Sequence, residues 1–128
     1  MKKALVLFAI LFMTACSPNT NDPYEPLDSG IEVQVLIGPM CPVVQIGTDC
    51  PDLPYQAALT IINSRGQEVM QFETDEQGRY KAYLEPGQYT LRPESPEGAV
   101  LPRAGKQSFT VEAHQFTRII VNYDSGIR

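Results

Sequence analysis

The sequence predicts an all-β domain, a seven-stranded antiparallel sandwich, lying behind a leader and a flexible tether. Three observations carry this expectation. From Ile31 onward, apolar residues come in short runs parted by turn signals, at the roughly eight- to twelve-residue spacing of a sandwich. Several runs alternate apolar and polar residues, the period of a half-buried strand. No window sustains helical spacing, and Pro86-Gly87 would break a helix through the middle.

The elements follow in order. Ile31 to Ile37 begins with strict alternation and makes the first strand. Gly38 to Tyr55, with two cysteines and four prolines, is a long loop. Ala57 to Ile62 is β-branched and ends at the turn Asn63-Ser64-Arg65-Gly66. Gln67 to Thr74 is the third strand, closed by Asp75-Glu76-Gln77-Gly78. Arg79 to Leu84 puts Tyr80, Ala82 and Leu84 on one face. Pro86-Gly87 suits the centre of a type II turn before Tyr89 to Leu91. Ser95 to Ala104 is a loop. Gln107 to Glu112 aligns Phe109 with Val111, Ala113-His114 turns, and Phe116 to Tyr123 is the last strand.

Thr74-Asp75-Glu76-Gln77-Gly78-Arg79-Tyr80 and Leu84-Glu85-Pro86-Gly87-Gln88-Tyr89-Thr90-Leu91 resemble the T-D-x-x-G-x-[FY] and L-x-P-G-x-Y-x-[LV] pattern of carboxypeptidase regulatory-like domains. That resemblance implies a prealbumin-like (transthyretin-like) Greek-key sandwich over residues 31–128. It implies Tyr80, Leu84, Tyr89 and Leu91 in the core, Asp75 bonded to backbone amides of its turn, and a positive φ at Gly78. It implies a folding, spacing or binding module without peptidase activity. The hydroxyisourate hydrolases share that fold but need several histidines and a Y-R-G-S end. This chain has one histidine and ends Asp124-Ser125-Gly126-Ile127-Arg128.

The N-terminus supplies an address. Lys2 and Lys3 precede an apolar run, Ala4 to Phe12, too short to span a bilayer. Met13-Thr14-Ala15-Cys16 resembles the lipobox of bacterial lipoproteins. That implies removal of residues 1–15 and lipidation of Cys16; the alternative is a plain secretory leader that leaves Cys16 free. Ser17 after the cysteine implies the outer membrane in a two-membrane cell, and otherwise the outer face of the plasma membrane. Residues 16–30 form the tether, rich in proline and turn formers. Stretched out, the fourteen residues from Ser17 to Gly30 would reach about 45 Å.

The formal net charge is −5, which disfavours nucleic acid and anionic headgroups as partners. In an exported chain Cys41 and Cys50 are expected to form a disulfide closing the long loop. Closing so short a loop stabilises the fold by about 2.5 kcal/mol. A metal site would need more ligands than these two thiols and the distant His114, and a redox pair is usually C-x-x-C. No nucleophile motif, P-loop or metalloprotease spacing is present. His114 reads as a solvated turn residue, and Asp75-Glu76-Gln77-Gly78 does not follow the calcium-loop order. No cofactor is implied.

The resulting expectation is a monomeric, lipid-anchored envelope module. It would bind an envelope protein or polymer through the cysteine loop, with Met40, Val43 and Tyr55 as the candidate contacts. The alternative is a hydrolase or small-ligand-binding protein using that same loop. The terminal Ile127 is expected to fold back near the loop, with Asp124 pairing to Arg128.

Overall fold

In the computed structural model, residues 26–42, 47 and 49–128 are described. They form two sheets packed face to face, with no helix. The eight strands are β1 Gly30–Gly38, β2 Leu53–Pro54, β3 Ala58–Asn63, β4 Glu68–Glu73, β5 Arg79–Tyr83, β6 Gly87–Pro93, β7 Gln107–Val111 and β8 Phe116–Asp124. Seven are the strands read from the sequence. The eighth, β2, has two residues, one of them a proline that cannot donate to a ladder. It carries no alternation by which it could be read.

The first sheet is built around β1. On one side β8 runs along its full length. On the other, β5 pairs with residues up to Gln34 and β2 takes over at Leu36. The second sheet has the order β4-β3-β6-β7, and β6 returns beside β3 after the chain has made β4 and β5, a Greek-key step. Every pairing but one is antiparallel; β1 and β8 run parallel. Alternation fixes which face a strand buries, but it does not distinguish strand direction.

Alternation does place the core. Ile31, Val33 and Val35 of β1 face Leu59 and Ile61 of β3, with Leu91, Val111, Val121 and Tyr123 around them, all buried. Each large side chain buried in this way contributes on the order of 1.5–3 kcal/mol. Buried polar groups are partnered. Tyr123 donates its hydroxyl to the Glu94 carbonyl at 2.6 Å, and Thr74 Oγ1 accepts from the Ala57 amide at 2.9 Å. Leu84 and Leu91 are buried as expected, but Tyr80 sits at the rim, stacked on Phe72. Gly87 has φ 159°, close to extended and far from the roughly +80° of a type II turn. The chain there leaves one sheet for the other, and Tyr89 ties the corner by donating its hydroxyl to the Glu85 carbonyl. Packing begins before Ile31: Gly30 lies in β1, and buried Ser29 donates to the Leu84 carbonyl at 2.7 Å.

Strand registers assign every connection to one of two ends. Gly30 is level with Tyr83 and Phe116, so residues 26–29 arrive beside the turns at 64–67, 84–86 and 112–115. Gly38 is level with Asp124. The opposite end therefore gathers, among the described residues, segments 39–42, 49–52, 55–57, 74–78, 94–106 and 125–128. Nine residues of β1 separate the ends by about 27 Å.

Gly78 is the position least able to change. Its φ is 70°, and a Cβ there would lie 2.2 Å from the Val35 carbonyl oxygen. Gly78→Ala is expected to cost about 2 kcal/mol or more and to lower Tm by roughly 10 °C in a thermal melt. Gly66→Ala has φ 79° but open space, and should cost only about 1 kcal/mol. A second prediction concerns Tyr123. Burial, then Tyr55 and Glu94, push its phenol from 10.0 up to about 12. The folded chain keeps that proton where the unfolded chain loses it, so the stabilisation is complete below pH 10 and disappears as pH rises towards 12. Tyr123→Phe should flatten the alkaline loss of stability, measured by urea unfolding across that window.

Candidate binding surfaces

The cysteine loop is tied down at both ends. Cys41 and Cys50 form a disulfide with Cα atoms 6.2 Å apart. Met40 is half-buried at the loop's start. Tyr55 turns inward, packing edge-to-face on Tyr123 with ring centroids 5.0 Å apart. It is partly buried and ties the end of the loop to the core. Val43 lies outside the described residues, as do Cys16, the leader and most of the tether.

The C-terminal residues close the same end. The Ser125 amide donates to the Gly38 carbonyl at 3.0 Å, and Arg103 and Asp124 exchange backbone bonds. Ser125 Oγ donates to the Pro39 carbonyl. Leu101 packs over Gly126, and Ile127 is half-buried. Arg128 Nη2 meets Asp124 Oδ2 at 2.9 Å. This bond, with the Gly126 amide, holds the Asp124 carboxyl down at about 2.

The outer face of the β5–β1–β8 sheet holds a surface the sequence reading did not pick out. Its side chains come in cross-strand rows. Tyr83 and Phe116 meet edge-to-face at 5.5 Å above Gly30, where a Cβ would collide with the Ala82 carbonyl. The next row is Lys81, Glu32 and Arg118. Glu32 lies between the two cations at 3.9 Å and 3.8 Å, and Lys81 Nζ stands 4.0 Å above the Phe116 ring. The third row is Arg79, Gln34 and Ile120, with Arg79 Nε donating to Gln34 Oε1. The second and third rows line an open concavity of about 660 Å³; the Tyr83–Phe116 row lies beyond them on the same face. Period-two reading of β5 and β8 would have placed Lys81, Tyr83, Phe116, Arg118 and Ile120 outward. What it lacked was the pairing that sets them side by side.

The concavity brings no serine, cysteine or histidine among its described lining residues. Of its two carboxylates, Asp75 accepts the Gln77 and Arg79 amides and shapes the turn, as read from the sequence; Glu32 is shared by two cations. His114 lies at the tether end, φ 59°, against the Asp28 carboxylate. Among the described residues no cluster of His, Cys, Asp or Glu is arranged to hold a metal ion.

No known protein family and no curated protein matches the chain. Solved structures do. The Bacillus anthracis TIE protein aligns with TM-score 0.51 and 26% identity over 76% of this chain and 17% of that one. GBS52, the minor pilin of the Gram-positive pathogen Streptococcus agalactiae, aligns with TM-score 0.55 and 13% identity over 77% of this chain and 45% of that one. This chain therefore spans less than half of either protein. Both likenesses agree with an all-β sandwich.

The C-terminal clamp yields a test. Deleting Gly126 to Arg128 should lower Tm. Because the Asp124 carboxyl is held below its ordinary 3.8, its stabilisation is present above that pH and is lost as pH falls towards 2. Asp124→Asn should reduce the acid-induced drop in Tm over that interval.

Proposed function

We propose that this chain is a non-catalytic binding or accessory module of the bacterial cell envelope, lipid-anchored through Cys16 and monomeric. The observation that carries this reading is the polarity of the sandwich. The tether arrives at one end, and the disulfide loop, the 94–106 loop and the C-terminal segment gather at the other, about 27 Å away. An anchor at Cys16 would thus hold the loop end outward. The likeness to a minor pilin and to the TIE protein supports a display or adhesion-type role. The turn at Asp75 to Gly78 supports a carboxypeptidase regulatory-like relationship.

The test is metabolic labelling with an alkyne fatty acid, followed by membrane fractionation. Label on the wild-type chain, lost together with membrane association in Cys16→Ala, is the expected outcome. An unlabelled wild-type chain in the soluble fraction would overturn the anchoring.

A further inference from the structure

We infer that the outer face of the β5–β1–β8 sheet binds an anionic glycan chain, one whose sugar rings carry carboxylate or phosphate groups. The inference names a ligand for the binding module proposed above and rests on that reading for its setting.

Charge is the first argument. The chain is acidic, with net charge −5, yet Arg79, Lys81 and Arg118 converge on one concavity. Its two carboxylates are outnumbered by these three cations. Asp75 Oδ1 is turned to the backbone amides of Gln77 and Arg79 at 2.9 and 2.8 Å. Glu32 serves both Lys81 and Arg118 near the limit of contact. Two arginines elsewhere are held more tightly: Arg92 by Glu68 and Glu94 at 2.8 Å, and Arg128 by Asp124 at 2.9 Å. The sheet face therefore keeps positive charge that a ligand anion can engage, and a guanidinium fork suits a carboxylate or phosphate.

Rings are the second argument. Tyr83 is 51% exposed and sits beside Phe116 at the end of the cationic rows. An exposed aromatic ring offers an apolar face with a polar tip, which matches a sugar ring with an apolar C–H face and a hydroxylated rim. Ile120, also 51% exposed, continues the apolar contact at the other end.

Shape is the third. Successive outward rows along a strand are about 6.8 Å apart, so the three rows make an exposed track about 14 Å long. An enclosed pocket suits a small molecule; an open track suits a chain passing across it. An acidic peptide that binds by adding a strand would need a free sheet edge, and these side chains stand on a sheet face.

The experiment uses the full chain in detergent with its disulfide intact, and binding is read by affinity electrophoresis in gels containing one polymer each. Polygalacturonate carries carboxylates and phosphorylated mannan carries phosphates; neutral dextran and poly-L-glutamate are the comparisons. Retardation by either anionic glycan, and not by the comparisons, is the expected result, and the responding glycan identifies the anion. Arg118→Glu should weaken binding roughly tenfold or more, and Tyr83→Ala roughly threefold. Arg65→Glu, in the 64–67 turn of the other sheet, should leave it unchanged. Both face substitutions alter exposed side chains, so an unchanged melt will show that they fold. Equal retardation by poly-L-glutamate or by dextran overturns the proposal, as does wild-type binding by Arg118→Glu. The measurement needs no lipid or cell, so its outcome is independent of the Cys16 labelling test.

Discussion

The backbone of Val35 is the joint on which the architecture depends. It lies where β5 has stopped pairing with β1 and β2 has not yet begun. A gap there would leave a buried donor and acceptor unsatisfied, at a cost of about 1–3 kcal/mol for each. Instead the Val35 amide donates to the Gly78 carbonyl at 2.7 Å, and its carbonyl accepts from the Tyr55 amide at 3.1 Å. Gln34 reinforces the joint by donating to the Gln77 carbonyl. Three distant segments are thus fixed by one residue: the central strand, the turn that shifts the chain between sheets, and the exit from the cysteine loop. Gly78 occupies its place because the Val35 carbonyl fills the space of a side chain.

From that joint the outer face follows. The turn at Asp75 to Gly78 sets where β5 begins, and so which of its residues stand level with Glu32 and Gln34. A slip of one residue would turn Lys81 and Tyr83 inward and bring Ala82 to the surface. The cationic rows and the aromatic pair are therefore consequences of register. Gly30 adds a local condition, since the rings of Tyr83 and Phe116 meet over the one position in that row with no side chain.

Local features were legible in the sequence and long-range ones were not. Alternation at Ile31, Val33 and Val35 marked buried positions because one face of a strand must pack. Asp75 and Gly78 marked their turn because a short carboxylate and a positive φ have local causes. The Cys41–Cys50 bond followed from the expected compartment and an even pair of thiols. The parallel pairing of β1 with β8 joins residues at opposite ends of the chain, and no local signal encodes it. The packing of Tyr55 on Tyr123 joins residues far apart in the chain, and no local pattern marks it. The sheet face escaped notice because its charged and aromatic residues come from three strands far apart in sequence.

The parallel neighbours β1 and β8 have a mechanical meaning. Force applied at Gly30 acts on the start of β1, while a load on the C-terminal segment is resisted at Asp124, where β8 finishes. Between those points the two strands lie side by side along their whole length, so tension pulls them past one another in shear. The hydrogen bonds of the ladder then share the strain together, whereas a hairpin pulled open from one end gives them up one at a time. A domain wired in this way resists extension along the line from Gly30 to Asp124, and yields more readily to a pull from other directions.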